Sequence, residues 1–226
     1  MENEMKIQVQ VRDMLKLESP FVREMIDGLY VVTPKIAEGY EWVFEDESVK
    51  CVEKLDGTNV SILIQDGVIT SAWNRTERLP FFNKNKKHII EGLLNSYEKG
   101  YMEFMADGQH FGELIGSKVN GNPYNLKEHE HLWIPFKTYA KEHLAYKSWG
   151  KYPKDFETMQ KWIVDDLMPL YSYRINGREW SGKHFVEGVV FTHPDGRMSK
   201  LRRDMFPLYY ERNPTALGHK RFRKEE

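Results

Sequence analysis

The chain has 226 residues, with 33 Lys and Arg against 34 Asp and Glu and a formal net charge of −1. That balance excludes a surface coated in positive charge, so any nucleic acid must be met through local patches. With 40% hydrophobic residues, no apolar run near the roughly 20 residues of a membrane span and a start, Met1-Glu2-Asn3-Glu4, unlike a basic signal peptide, the expectation is a cytoplasmic globular protein without a membrane partner. The single cysteine, Cys51, excludes an intrachain disulfide and a cysteine-based zinc site, and is expected to be a small buried strand residue.

Met5 to Arg12 alternates Lys6, Gln8, Gln10 and Arg12 with Ile7, Val9 and Val11, which predicts an opening strand. Ser19-Pro20 reads as a helix start and Gly28 as its stop, predicting a short helix over Phe21 to Ile26. The acidic run Glu45, Asp46 and Glu47 reads as solvated surface. Val49 to Leu55 is an apolar strand that breaks at Asp56-Gly57, where glycine can adopt angles other residues avoid. Lys54 is thereby set at the end of a rigid element. Val60, Ile62 and Ile64 face one way, and Asp66-Gly67 signals a hairpin into Val68 to Trp73, so Lys54 is expected at the edge of an antiparallel meander.

A local basic patch, Lys84, Lys86, Lys87 and His88, precedes a helical stripe of Ile89, Ile90, Leu93, Leu94, Tyr97, Tyr101 and Phe104 at spacings of three and four, which reads as core packing. Asp107-Gly108 launches a strand, Gln109 to Ile115. A loop rich in Asn and Gly leads to a predicted strand, His131 to Ala140, carrying Trp133 and Phe136. Phe156, Met159, Trp162, Ile163 and Leu167 form a second helical stripe. Two last strands, Lys183 to Thr192 and Arg197 to Arg203, are joined by the turn Pro194-Asp195-Gly196. A basic tail follows, with Arg212, Lys220, Arg221, Arg223 and Lys224. No repeat, low-complexity tract or linker interrupts the sequence, so one domain is expected over 1–226, with its motifs in 53–203 and a short tail in 204–226.

Glu53-Lys54-Leu55-Asp56-Gly57-Thr58-Asn59 resembles the nucleophile motif of the covalent nucleotidyltransferases, the superfamily of DNA ligases, RNA ligases and mRNA capping enzymes. Glu53 and Asn59 look most like the RNA ligases, because the other branches usually carry arginine where Asn59 stands. The resemblance continues in family order. Arg75 stands where RNA ligases have an arginine, Phe111-Gly112-Glu113-Leu114-Ile115-Gly116 looks like the next motif, and Phe136 suits the aromatic position that stacks on the nucleobase, with Trp133 open to the same role. Glu187-Gly188-Val189-Val190 and Lys200-Leu201-Arg202 resemble the last two motifs, although most relatives have a second lysine in place of Arg202. That exchange keeps the charge but loses the compact ammonium.

The resemblance implies an α+β nucleotidyltransferase fold of antiparallel sheets flanked by helices, with the ATP cleft between them. The stretch after Arg203 is too short for the OB-fold that DNA ligases and capping enzymes append. It implies an ATP-dependent RNA ligase joining a 3′-hydroxyl to a 5′-phosphate through lysyl-AMP and adenylylated RNA, with Mg²⁺ or Mn²⁺ as cofactor and RNA as partner. A minimal DNA ligase, a GTP-using capping enzyme and an inactive RNA-binding relative are the alternatives. Lys54 is the implied nucleophile, Asp56 orients its loop, and Glu187 is the implied metal contact. Glu113 accepts ribose hydroxyls, Glu53 helps read the base, and Arg75 and Asn59 contact ribose, phosphate or the RNA end. A lysine attacks only as the free amine, and at an ordinary pKa near 10.4 about one in a thousand is free near pH 7.5. Cations beside it, here Lys200, Arg202 and a metal, disfavour the ammonium and also stabilise charge on the phosphoryl oxygens.

Overall fold

The computed structural model describes residues 10–80, 83–146, 152–172 and 186–216. Among these residues the chain is mixed α/β, with three antiparallel sheets and a few mostly short helices. It divides into two compact units: Met1–Leu15 with Asp56–Ala140, and Lys16–Leu55 with Lys141–Glu226. The predicted opening strand lies largely outside the described residues, and residues 10–12 are not in a strand. Instead the Gln109 side chain serves the Arg12 backbone, accepting its N–H at 3.1 Å and donating to its carbonyl at 2.8 Å. A carboxamide therefore supplies the pairing that alternation alone assigned to a neighbouring strand.

The helix expected over Phe21 to Ile26 is instead a strand, β1 (Phe21–Ile26), paired antiparallel with β2 (Leu29–Ile36). Asp27 and Gly28 both have positive φ, 49° and 78°. This pair of left-handed residues matches the twist of a two-residue hairpin. The Ser19 hydroxyl does accept the N–H of Phe21 at 3.1 Å, but such a bond starts a turn as readily as a helix. Phe21 is buried against Phe44 and Phe156, with ring centroids 4.9 and 5.1 Å away. After a short helix, α1 (Trp42–Glu45), comes β3 (Lys50–Lys54), in which Cys51 and Val52 are buried as the apolar pattern required.

The five-stranded sheet belongs to the unit that begins again at Asp56. Its strands are β4 (Thr58–Gln65), β5 (Val68–Asn74), β6 (Glu77–Arg78), β7 (Gly108–Gly116) and β8 (His131–Pro135), in the order β6-β5-β4-β7-β8. One face presents Val60, Ile62 and Ile64, joined by Ala72, Leu114 and Trp133, to Ile89 and Leu93 of α2 (Lys87–Glu98). The helix stops at Glu98, earlier than the apolar spacing implied. Tyr101 is still buried, but Phe104 is 98% exposed. Gly100, at φ 75°, turns the chain out of the helix.

The other unit carries the three-stranded sheet. β9 (Gly188–Thr192) is central, between β3 and β10 (Met198–Arg202). Lys54 therefore ends an edge strand of this sheet, not of the meander formed by β4, β5 and β7. Its partner strand lies far along the chain, and local alternation carries no information on such pairing. Two short helices, α3 (Lys141–His143) and α4 (Phe156–Lys161), follow, and α4 runs on as a wider helical turn over Trp162–Asp166 that buries Trp162 and Ile163. The described chain closes with α5 (Pro207–Arg212), begun by proline in its first turn. Lys183 and the tail cations Lys220, Arg221, Arg223 and Lys224 lie outside the described residues.

At the hairpin end of β9, His193 lies between two carboxylates. Its Nε2 is 2.7 Å from Asp46 and its Nδ1 2.7 Å from Asp195, with the edge of Trp42 beside the ring. Asp46 is therefore not merely solvated, whereas Glu45 and Glu47 are exposed. The bond to Asp46 leads in raising the His193 pKa above its ordinary value. Asp195 adds to this, while partial burial and Arg197 oppose it. A raised histidine contributes stability that is complete below its unfolded value, about 6.5, and is lost as pH rises through the folded value. The urea midpoint should therefore fall from about pH 6 to about pH 9 in the wild type and fall less in His193→Gln. Parallel curves would remove the charged clamp.

Candidate functional site

β3 and β9 pair in a register that sets Lys54 opposite Gly188, immediately after Glu187. The Lys54 ammonium donates to Glu187 Oε2 at 2.5 Å and to the Leu55 carbonyl at 3.3 Å. Both side chains of the ion pair are largely buried, at 20% and 17% exposure. Gly188 also lets β10 (Met198–Arg202) lie close against β9 at this point. A Cβ there would lie 2.1 Å from the Leu201 carbonyl oxygen, well inside van der Waals contact.

From β10, Lys200 joins the group. Burial is the main cause of its lowered pKa, followed by the positive charges of Lys54 and Arg202, with Glu18 and Glu187 acting the other way. The backbone N–H of Lys200 and the hydroxyl of Ser199 both donate to the Glu18 carbonyl, at 3.0 and 2.8 Å, fixing this part of β10. Arg202 is held in a fork by Asp204, at 3.0 and 3.1 Å. Lys54, Glu187, Lys200 and Arg202 thus come together on one sheet, far apart as they are in sequence.

Glu53 is directed elsewhere, since neighbours on a strand face opposite sides. It is 4% exposed and its Oε2 accepts the N–H of Tyr171 at 2.7 Å. Its Oε1 is buried with no hydrogen-bond partner among the described residues. Burial pushes the carboxyl up to about 8, against the amides of Tyr171 and Leu170, which favour the ionised form. Glu53 is therefore a buried acid that is mostly protonated at neutral pH.

In the other unit, the turn that follows β3 in sequence is held by a ring of contacts. Glu113 Oε1 accepts the Gly57 N–H at 3.1 Å, Tyr124 Oη accepts the Asp56 N–H at 2.6 Å, and Asn120 Nδ2 donates to Asp56 Oδ1 at 2.7 Å and to the Gly57 carbonyl at 2.8 Å. Glycine is required at 57 for room rather than for unusual angles. Gly57 is not among the residues with positive φ, and a Cβ there would lie 2.2 Å from the Leu114 carbonyl oxygen. Asn120 and Tyr124 escaped the sequence reading because the loop that bears them has no hydrophobic period. Its wealth of Asn and Gly was the only trace.

Asn59 lies directly across from Glu113 in the β4–β7 register, and its Nδ2 is 3.3 Å from the Met14 sulfur. Arg75 is exposed just after β5, at φ 55°. Phe136 is not on a strand. β8 ends at Pro135 and Phe136 opens a wide helical turn, Phe136–Ala140, where it is half-buried. Trp133 is fully buried, with its indole N–H on the Val60 carbonyl at 3.0 Å, so it is committed to the core. Among the described residues no three His, Cys, Asp or Glu side chains are grouped as a metal site.

No protein-family model matches the chain, and no curated protein matches it significantly. Among solved structures it is similar to an RNA ligase mutant of Naegleria gruberi with ATP and Mn, at 15% identity and a TM-score of 0.45, over 88% of this chain and 62% of that one. An apo mutant of the same ligase gives 16% and 0.46, over 88% and 62%. The ligase with PPi gives 15% and 0.44, over 91% and 64%. The chain spans less than two thirds of the length of these ligases.

The buried Glu53 carboxyl has a measurable consequence. A carboxyl raised to about 8 stabilises the fold fully below its unfolded value near 4.3, and that contribution is lost as pH rises through 8. Glu53→Gln retains an acceptor for the Tyr171 N–H and cannot ionise. Its urea midpoint should overtake or approach that of the wild type between about pH 7 and pH 9. A constant difference across that range would mean that Glu53 does not change charge there.

Proposed function

We propose that the chain is an ATP-dependent RNA ligase acting through a lysyl-AMP intermediate. The observation that carries this reading is the amine of Lys54, fixed at a strand end against Glu187 and flanked by Lys200, within a motif that resembles the RNA ligase nucleophile. An ordinary surface lysine has no need of a semi-buried carboxylate and a second cation placed around it by three strands.

In the first step the Lys54 ammonium gives up a proton, and its nitrogen lone pair forms a bond to the α-phosphorus of ATP. The bond from that phosphorus to the bridging oxygen breaks, and pyrophosphate leaves with the electron pair. In the second step the 5′-phosphate of an RNA end attacks the same phosphorus and displaces the lysine. In the third, a 3′-hydroxyl attacks the 5′-phosphate, loses its proton, and displaces AMP.

The Glu187 carboxylate suits a Mg²⁺ or Mn²⁺ ion that takes most of its oxygens from phosphates and water, since one carboxylate is enough for such a site. When bound, the ion supplies charge neutralisation of the phosphates. While the Lys54 nitrogen is bonded to Glu187 it is not free to attack, so Glu187 must release it before the first step. Lys200, and Arg202 once it leaves Asp204, stabilise negative charge on the phosphoryl oxygens. Asp56 orients the turn beside the nucleophile, and Glu113 accepts the ribose hydroxyls. Phe136 stacks on the base, whereas Glu53, enclosed against the Tyr171 amide, holds that backbone rather than reading the base. Arg75 and Asn59 contact ribose, phosphate or the RNA end. Lys84 to Lys87 and the tail contact the RNA backbone. Lys86 and Lys87 are partly offset by Glu77 and Glu91, at 3.7 and 3.0 Å, so this patch adds a modest affinity.

The reading is tested with one nicked duplex made in two forms, with an RNA or a DNA 3′-hydroxyl terminus, sealed with ATP or GTP. ATP should support sealing and GTP should not, and the RNA terminus should be sealed much faster. Added salt should slow sealing more than enzyme adenylylation. Equal rates on both termini would favour a minimal DNA ligase, and labelling by GTP alone a capping enzyme.

A further inference from the structure

The loop between β7 and β8, Ser117 to Glu130, is far longer than two adjacent antiparallel strands require, since two residues suffice for a hairpin. It is also costly. Asn120, Asn122, Asn125 and His129 have φ of 45°, 56°, 51° and 64°, in the left-handed region that L residues enter only at a cost, with Asn the best tolerated. The loop is nonetheless tightly made. Its base closes through the Ser117 N–H on the Glu130 carbonyl at 3.1 Å, and Asn122 bonds both the N–H and the carbonyl of Leu126 at 2.9 Å. Val119, Tyr124 and Leu126 are buried beneath it.

Three of its hydrogen bonds reach a single dipeptide. Tyr124, 2% exposed, accepts the Asp56 N–H, and the Asn120 amide bridges the Asp56 carboxylate and the Gly57 carbonyl. Asn120 is exposed, and an exposed hydrogen bond contributes little to stability. Its geometry is better explained by orientation. A donor-only NH₂ fixes one carboxylate oxygen of Asp56 and, at the same time, the direction of the next peptide. Asp56 itself stands two residues after Lys54.

We propose that Asn120 and Tyr124 are positioning residues for the adenylylation of Lys54, acting through the Asp56–Gly57 turn. This rests on the reading of the chain as a nucleotidyltransferase. With the clamp intact, the Asp56 carboxylate and the Gly57 peptide hold one orientation while the amine attacks. Without it, the turn samples several orientations, and the rate of attack falls while ATP binding is largely kept.

The test is single-turnover labelling of the full chain with α-labelled ATP, across ATP concentration and pH, for the wild type, Asn120→Ala, Asn120→Asp and Tyr124→Phe, with thermal midpoints alongside. Asn120→Ala and Tyr124→Phe should lose about tenfold or more in the maximal rate, with the half-saturating ATP concentration changed far less, the pattern expected of misplacement. Asn120→Asp sets a second carboxylate against Asp56. It should be slower than Asn120→Ala near pH 8 and recover relative to it as pH falls toward about 5.5, where the two carboxyls can share a proton. Wild-type rates in Asn120→Ala and Tyr124→Phe would overturn the positioning role and leave the nucleotidyltransferase reading standing. Losses that only track the thermal midpoints, with no pH recovery in Asn120→Asp, would overturn it too. No label on the wild type would overturn both.

Discussion

The ion pair of Lys54 with Glu187 is the contact on which the proposed chemistry depends. It exists because β3 and β9 pair in one register, while the bare Cα of Gly188 lets β10, with Lys200 and Arg202, pack against the other edge of β9. A shift of one residue would turn Lys54 to the opposite face of the sheet. The pair's contribution to stability is modest, because the attraction of two partly buried ions is offset by their desolvation. In the proposed reaction its consequence is larger, because the carboxylate that holds the Lys54 nitrogen at 2.5 Å must let it go before that nitrogen can attack, and a phosphate-bound divalent cation would compete for the same carboxylate.

β3 separates two carboxylates by environment. Glu187 faces Lys54 and the cation of Lys200, and it is paired. Glu53, one residue before Lys54, is enclosed with the Tyr171 amide, and its pKa is driven up to about 8. Two glutamates near one strand thus meet different surroundings: Glu187 is tied to an ammonium, and burial holds Glu53 mostly as the neutral acid. The Asp56–Gly57 turn shows the complementary device. There orientation comes from backbone and amide hydrogen bonds, with no cation among the contacts described.

Much of the sheet structure was legible in the sequence, because period-two alternation in Val60, Ile62 and Ile64, the hairpin at Asp66-Gly67 and the turn at Pro194-Asp195-Gly196 are local signals. Phe21 to Ile26 misled because Ser-Pro before an apolar run begins both helices and hairpins, and only the paired positive φ of Asp27 and Gly28 decides between them. Phe136 was placed on a strand since β8 is apolar to Pro135 and nothing in composition marks the change to a helical turn. The sheet that joins Lys54 to Glu187 and Lys200 was not legible from alternation. The ordered motifs suggested that these residues belong together, but not the ion pair or the fork of Arg202 on Asp204. Asn120 and Tyr124 were missed for a different reason: their role lies in where an irregular loop is aimed, which no periodic pattern records.

The most direct test is to incubate the chain with ATP and Mg²⁺ or Mn²⁺, digest it, and locate any added AMP by tandem mass spectrometry, with brief acid treatment of a parallel sample to cleave a phosphoramidate. The expected result is one acid-labile AMP on the peptide that contains Lys54, with the modification on its side-chain nitrogen. AMP on another residue, an acid-stable adduct, or no adduct at all would contradict the assignment of Lys54 as the nucleophile.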